Sequence, residues 1–180
     1  ANTGAELSID SVDQLATVAK VKGQITDSTK RSTSTKLSDL NANLTGAQEL
    51  KLKVLQKDGS MKDVNIQLTG DSTIKDVVNE LNNKHGLNAF YDEQSGQLAI
   101  ATEATGKGAE LQVDSSGKVV GQGGNVPGAG TTSQWASIYV EDGQDVLGAL
   151  GFDTTSNTLA TGQNAVLTIN GAQIQRSSNT

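Results

Sequence analysis

The stretch 162–180 reads Gly-Gln-Asn-Ala-Val-Leu-Thr-Ile-Asn-Gly-Ala-Gln-Ile-Gln-Arg-Ser-Ser-Asn-Thr and decides the fold class. Residues 166–169 alternate between two faces, as residues of a β-strand do. Asn170-Gly171 follows and tolerates the positive φ angles that a type I′ hairpin turn requires. The chain then returns through Ile174 and stops without a closing element. The stretch predicts a β-hairpin, and we expect a fragment whose sheet continued in residues absent from the chain.

Other apolar runs predict further strands and one main helix. Apolar residues at i, i+3, i+4 and i+7 share one face of the expected helix Ile74–Leu81. Asp71 or Ser72 is expected to cap its start, and Gly86 to terminate it in a left-handed conformation. A short helical turn is expected over 145–152. Strands are expected at 7–9, 18–25, 50–54, 64–68, 87–91, 97–100, 110–113 and 135–140.

Three stretches lack the apolar spacing of a regular element. Residues 26–36 are polar throughout, which predicts a loop or solvated edge with nothing to anchor it. Residues 115–132 are rich in Gly and contain Pro127, the single proline, so we expect a long mobile surface loop. Residues 153–163 are expected to form a linker. Neighbouring β runs joined by short turns indicate an α+β fold, mainly antiparallel β.

Four blocks in the right order resemble the middle region of the flagellar hook-associated protein 2 family, the bacterial filament cap proteins. The most specific words are Ile-Asn-Gly and Arg-Ser-Ser-Asn-Thr within 165–180. Residues 7–16 are similar to the family's strand ending in Gln-Leu-Ala. Residues 73–82 with 98–106 match its helix and following strand, and 147–152 (Leu-Gly-Ala-Leu-Gly-Phe) match its hydrophobic marker.

The resemblance implies two small domains. The first is a discontinuous, β-sandwich-like domain made of 1–44 and 151–180, incomplete at its C-terminal end. The second is an inserted antiparallel-sheet domain over 45–150 that carries the main helix. One residue more than the family pattern lies between Ile9 and Gln14, which predicts a β-bulge in the first strand.

The resemblance also implies a structural role rather than an enzymatic one. Cap proteins form a ring at the growing filament tip and promote flagellin folding and polymerisation. The implied partners are further copies of the chain, flagellin and the hook–filament junction proteins. The implied location is the extracellular flagellum tip, reached through the flagellar type III system without a cleaved signal peptide. The terminal helical regions that anchor a cap are missing here.

Composition excludes several other classes. A net charge of -6 and a pI near 4.7 argue against a nucleic-acid partner, because phosphate binding depends on clustered Lys and Arg. No window approaches the roughly 18 apolar residues of a membrane span. The chain has no cysteine, so it has no thiolate metal site and no cysteine nucleophile.

No catalytic, cofactor-binding or metal-binding residue is predicted. His85, the single histidine, is expected at the helix end beside Lys84, where a cation favours the helix dipole. Asp92-Glu93 and Glu141-Asp142 could suggest glycoside hydrolysis, but both pairs lie in or beside predicted turns, where acids normally face water. The glycine-rich run 121–130 fails the dinucleotide-binding pattern.

The sequence allows two roles for Trp135 and Tyr139. They lie four residues apart, on the same face of an expected strand, and could form a binding patch. A chain with 3% aromatic residues would equally need them as core. Exposure of both beside convergent polar groups would favour a β-rich surface adhesin or carbohydrate-binding module. A carboxylate pair facing across a cleft would favour a glycoside hydrolase domain.

Overall fold

A computed structural model describes residues 9–83, 85–123 and 130–179 of the chain. The described residues form three α-helices, α1 to α3, at Leu37–Leu40, Ile74–Leu81 and Gln144–Ala149. They form thirteen strands, β1 to β13, at Ile9–Gln14, Val18–Gln24, Ala47–Leu55, Met61–Thr69, Leu87–Asp92, Gln97–Thr105, Ala109–Val113, Val119–Gln122, Thr132–Ala136, Ile138–Asp142, Thr158–Ala160, Ala165–Ile169 and Ala172–Arg176. All the ladders between these strands are antiparallel. The predicted fold class, mainly antiparallel β with one main helix, is confirmed.

Both ends of the chain meet in one three-stranded sheet of order β1-β12-β13, called the end sheet below. The turn between β12 and β13 has φ of 49° at Asn170 and 80° at Gly171, which confirms the hairpin expected from this dipeptide. The register of β1 against β12 shifts twice, between Ile9 and Ser11 and again between Val12 and Gln14. The predicted bulge is therefore present together with a second one. The part of the first strand expected at residue 7 lies outside the described residues.

The remaining strands form three further sheets. Their orders are β11-β10-β3-β4, β2-β6-β5 and β8-β7-β9. Alternating apolar residues of β3 and β4 point inward, including Leu50, Leu52, Val64 and Ile66, all at most 2% exposed. They share one hydrophobic cluster with the inner faces of α2 and α3 and with Leu98 of β6. This cluster is the main core.

The N-terminal segment after β1 belongs to this core. Strand β2 pairs with β6, and Ala19, Ile25, Leu37 and Leu44 lie in the same cluster as the β3 and β4 residues. The expected division of the chain near residues 45 and 150 remains a proposal. The packing favours domain boundaries nearer residues 16 and 163, where the end sheet joins the rest of the chain.

The main helix begins at Ile74 as expected, but its N-cap lies one or two residues later than the expected caps. Thr73 is the N-cap, and it forms a reciprocal capping box with Asp76, so the expectation of Asp71 or Ser72 was wrong. The Thr-x-x-Asp spacing of this box was visible in the sequence. Gly86 does have a left-handed φ of 75°, but the helix already ends at Leu81, so Gly86 does not terminate it.

The loop over 26–36 is anchored, contrary to expectation. The guanidinium of Arg31 donates from Nε to the carbonyl of Ile25 and from Nη1 to that of Gln94, at 2.8 and 3.2 Å. The hydroxyl of Tyr91 donates to the carbonyl of Arg31 itself at 2.7 Å. An Arg side chain can hold several carbonyls at once because its donors are fixed in one plane, and no local spacing in the sequence signals such distant acceptors.

Two stretches expected to be irregular contain strands. Within 115–132, Val119–Gln122 forms β8 against β7, after a turn in which Gly117 has a φ of 84°. Thr132 already belongs to β9, and residues 124–129, which include Pro127, lie outside the described part of the chain. Within 153–163, Thr158–Ala160 pairs with β10 as β11. Short β runs of this kind are set by pairing with distant strands, so the local pattern did not indicate them.

Candidate interaction surface

The candidate catalytic acids serve structural roles. Asp92 accepts hydrogen bonds from the backbone of Gln94 and the hydroxyl of Ser95, and Glu93 accepts one from the backbone of Thr33. The Asp92 contacts close the turn between β5 and β6, and the Glu93 contact joins this turn to the loop 26–36. The hydroxyl of Ser95 is the main cause of the lowered pKa of Asp92. The expectation that this pair belongs to a turn is confirmed.

Glu141 differs from the expectation of a solvated turn residue. It lies within β10, and its side chain is 19% exposed. Its carboxylate lies 3.8 Å from the ammonium of Lys53 and accepts a hydrogen bond from the backbone of Val119 at 3.2 Å. Lys53 also pairs with Asp63. Glu141 therefore ties β8 to the β3–β4 hairpin instead of facing an open cleft.

Turns elsewhere use the same Asp chemistry. In four places an Asp accepts hydrogen bonds from the hydroxyl and the backbone N–H of a Ser or Thr two residues later. These acids are Asp27, Asp58, Asp114 and Asp153. The bonds stabilise the ionised carboxylate and lower the pKa of each acid. Among the described residues, no group of three or more acidic or metal-ligating side chains is placed to hold a metal ion.

His85 is not the helix-end cation that was expected. The helix ends at Leu81, and burial together with the nearby charge of Lys62 lowers the pKa of His85 below 6.5. Its Nδ1 atom is buried without a hydrogen-bond partner. The lowered pKa favours the neutral imidazole over the cation that was expected.

The two candidate aromatic residues do not form one patch. Trp135 lies on β9 and is 43% exposed, whereas Tyr139 lies on β10 and is fully buried. The chain passes from one sheet to the other at the buried Ser137 between them, so they do not share a strand face. Tyr139 is core: its hydroxyl donates to the carbonyl of Gly117 at 2.6 Å. Trp135 instead stacks under the ammonium of Lys107, 3.9 Å from the ring centre.

An apolar groove lies on one face of the end sheet. Ile9, Val12 and Leu15 are 55%, 54% and 60% exposed and lie three residues apart. Residues at that spacing share a strand face only if the ladder is interrupted, and the two bulges of β1 provide this interruption. Leu167 and Ile169 of β12 lie directly opposite Val12 and Ile9. The five side chains line a groove of about 280 Å³.

The opposite face of the end sheet is polar. Ser11 and Thr168 are paired there, and the hydroxyl of Thr168 donates to Asp13 at 2.7 Å. The hydroxyls of Ser11 and Thr168 lower the pKa of Asp13. Asp10 accepts the backbone N–H of Gly171 in the hairpin turn at 2.9 Å. A sheet with one solvated face and one apolar face typically covers another element or binds a partner.

The segment Arg-Ser-Ser-Asn at residues 176–179 joins the end sheet to the core. Asn179 accepts the backbone N–H of Ala16 at 2.6 Å and donates to its carbonyl at 3.1 Å. The side chain of Asn164 accepts the backbone N–H of Lys107 at 2.9 Å. A methyl group at Gly162 would lie 2.3 Å from the carbonyl oxygen of Gly106. This close junction explains why these residue types stand at these positions.

Comparison with known proteins finds a local match to a flagellar motif. A family model described as the flagellin hook IN motif matches residues 49–104, which run from β3 through α2 to β6. No curated protein matches the chain in sequence.

Two solved structures of one protein share the fold of this chain. The crystal structure of the D1-D2-D3 domains of the flagellar cap protein FliD from Escherichia coli matches with a TM-score of 0.56 and 20% identity. The match covers 94% of this chain and 42% of that one. The structure of the D2-D3 domains of FliD from Escherichia coli matches with a TM-score of 0.55 and 20% identity, covering 94% of this chain and 73% of that one. The resemblance to cap proteins seen in the sequence is confirmed at the level of the fold.

Proposed function

We propose that this chain is the middle region of a flagellar filament cap protein, a structural protein that promotes flagellin folding and polymerisation at the filament tip. The observation that carries the proposal is the shared fold over 94% of the chain. The flagellin hook IN motif supports it independently. The proposed location is extracellular, with export through the flagellar type III system and no cleaved signal peptide. None of the helices described is long and apolar enough to cross a membrane.

The surface chemistry supports work through protein contacts. The groove of the end sheet exposes three large aliphatic side chains on one face, and exposed apolar patches of this kind mark protein contact sites. The proposed partners are further copies of the chain, flagellin and the hook–filament junction proteins. The adhesin alternative required Trp135 and Tyr139 to be exposed together, and the burial of Tyr139 removes its supporting feature.

Deletion tests the proposal in the bacterium that encodes the chain. An in-frame deletion of the codons for these residues should leave flagellin as monomer in the medium and filaments absent or short. The measurement is the amount of flagellin in the filament and supernatant fractions, with the intact gene returned in trans as control. Filaments of normal length and number in the deletion strain would contradict the proposal.

A matched pair of variants tests the end-sheet groove within the same assay. Val12→Ser removes an aliphatic side chain from the groove, and Val120→Ser removes one that is 45% exposed on β8. Val12→Ser should raise the share of unpolymerised flagellin, whereas Val120→Ser should complement like the parent. Equal complementation by both variants would exclude the groove from the contact surfaces.

A further inference from the structure

The turn between β12 and β13 carries the one Asn-Gly dipeptide of the sequence, Asn170-Gly171. Both residues are exposed, and Asn170 is the only non-glycine residue with a positive φ among those that the structure describes. A Cβ atom built at Gly171 would have no atom within 4 Å beyond its own chain neighbours. Water therefore reaches the bond between the two residues, and no side chain crowds Gly171 from that direction.

This dipeptide has the chemistry of spontaneous deamidation. The main-chain nitrogen of Gly171 attacks the side-chain carbon Cγ of Asn170, and the new N–Cγ bond closes a cyclic succinimide. The Cγ–Nδ2 bond breaks, and the proton of the attacking nitrogen, passed through water, leaves with Nδ2 as ammonia. One water molecule then opens the ring at either carbonyl, which gives aspartate or isoaspartate. Glycine favours the closure because it has no Cβ atom to hinder it.

A carboxylate from the other end of the chain holds the attacking nitrogen. The N–H of Gly171 donates to Oδ2 of Asp10 at 2.9 Å, although 161 positions separate the two residues in the sequence. This hydrogen bond must break before the nitrogen can pass its proton to water. The negative charge of Asp10 also disfavours negative charge that develops on the nitrogen beside it. Both effects slow the attack on Asn170.

The first bulge of β1 brings Asp10 to the turn. Ile9 lies opposite Ile169, the residue that precedes the turn, and the register shifts between Ile9 and Ser11. Asp10 is the extra residue at this shift, so it is free of the ladder and its carboxylate reaches the N–H of Gly171. The bulge that exposes the apolar groove on one side thus also supplies the contact to the turn.

We propose that Asn170 is a site of spontaneous deamidation, and that Asp10 suppresses the reaction by holding the N–H of Gly171 while β1 is paired with β12. Either product weakens this pairing. Aspartate at position 170 adds a second carboxylate to the turn that Asp10 contacts, and like charges repel. Isoaspartate adds a carbon atom to the main chain of a two-residue turn whose geometry suits the strand twist. The inference does not depend on the proposed cap function.

Peptide mass spectrometry of the whole 180-residue chain, incubated at neutral pH, measures the deamidated fraction of Asn170. Enzymatic methylation identifies the isoaspartate product. Asp10→Ala removes the acceptor and should deamidate about three to ten times faster than the parent, the rate equivalent of one ordinary hydrogen bond. The parent in concentrated urea should react fastest at Asn170, because unfolding removes both the turn and the carboxylate.

Asp13→Ala is the matched control. Asp13 lies on the same strand, and its carboxylate accepts the hydroxyl of Thr168 on β12 at 2.7 Å. Its loss removes one acid and one hydrogen bond between β1 and β12 but leaves the contact to Gly171. This variant should deamidate at a rate closer to the parent's than to that of Asp10→Ala. Amide exchange at Gly171 should be faster in Asp10→Ala, whereas circular dichroism should show the same fold in all three proteins.

Three results would overturn the proposal. If Asp10→Ala reacts no faster than the parent, the turn geometry alone protects Asn170 or the carboxylate acts as a base. If Asp10→Ala and Asp13→Ala are accelerated equally, opening of the sheet controls the reaction and the contact to Gly171 does not. If Asn170 of the unfolded chain reacts no faster than the other asparagines, residue 170 is not a preferred site of this modification.

Discussion

Two glycines of the word Leu-Gly-Ala-Leu-Gly-Phe, three residues apart, should respond to alanine in opposite directions. Gly151 has a φ of 89°, and a Cβ atom there would lie 2.0 Å from the backbone carbonyl oxygen of Gln24. Gly148 lies within α3, and a Cβ atom there would meet only the hydroxyl of Thr154 at 3.9 Å. Backbone atoms therefore leave no space for an added methyl group at Gly151, whereas Gly148 has space for one.

The expected magnitudes follow from these geometries. At Gly151 the left-handed conformation costs an alanine about 1–2 kcal/mol. Relieving the clash with β2 adds about 1–3 kcal/mol, because a strand backbone must move. Gly151→Ala should therefore lower the free energy of unfolding by about 2–5 kcal/mol. Gly148→Ala should raise it by about 0.5–1 kcal/mol, because alanine loses less backbone entropy in a helix.

Urea denaturation followed by circular dichroism measures both changes on the intact chain. For a chain of this length, 1 kcal/mol corresponds to about 2–4 °C in Tm, so a thermal scan should give the same order. A neutral Gly151→Ala would refute the close approach of α3 to β2. If Gly148→Ala were as destabilising as Gly151→Ala, the whole motif 147–152 would be sensitive to substitution for a reason other than this clash.

Three further predictions concern single side chains. Tyr139→Phe should lower the free energy of unfolding by about 1–2 kcal/mol, because it leaves the partly buried carbonyl of Gly117 without this donor; an unchanged urea midpoint would contradict this. His85 should titrate below 6.5 in an NMR experiment, since burial lowers its pKa. The unfolded chain then binds the proton more readily, so this residue's contribution to stability falls as pH drops below about 6.5; a midpoint above 6.5 would reverse the sign. Arg31→Lys should speed amide exchange in the loop 26–36, because lysine cannot hold Gln94 and the neighbouring carbonyls together; unaltered exchange would show that the loop needs no anchor.

Local sequence patterns predicted the elements that depend on interactions between residues close in the sequence. The hairpin follows from alternation around Asn170-Gly171, whose positive φ angles need no distant partner. The helix Ile74–Leu81 follows from its apolar spacing, and its buried residues are Ile74, Val77 and Leu81. Its true cap was also encoded locally, in the spacing of Thr73 and Asp76, but it competed with two neighbouring residues that cap equally well in general.

Features set by distant contacts could not be predicted in this way. Strands β8 and β11 are short and depend on pairing with β7 and β10. The crossing between sheets at Ser137 separates Trp135 from Tyr139, although their spacing suits one strand. The apolar groove was hidden because Ile9, Val12 and Leu15 lie three residues apart, a spacing that does not share a strand face until two bulges are introduced. A run of apolar residues three apart in a strand region is the signal that could reveal such a face.

The proposed function places this chain at the tip of a flagellar filament. Its most direct test is immunogold electron microscopy with an antibody raised against residues 9–179, applied to intact cells of the bacterium that encodes the chain. Gold particles should lie at the distal ends of filaments and be absent from cells in which the coding region is deleted. Label spread along the filament shaft or confined to the cell surface, with bare tips, would contradict it.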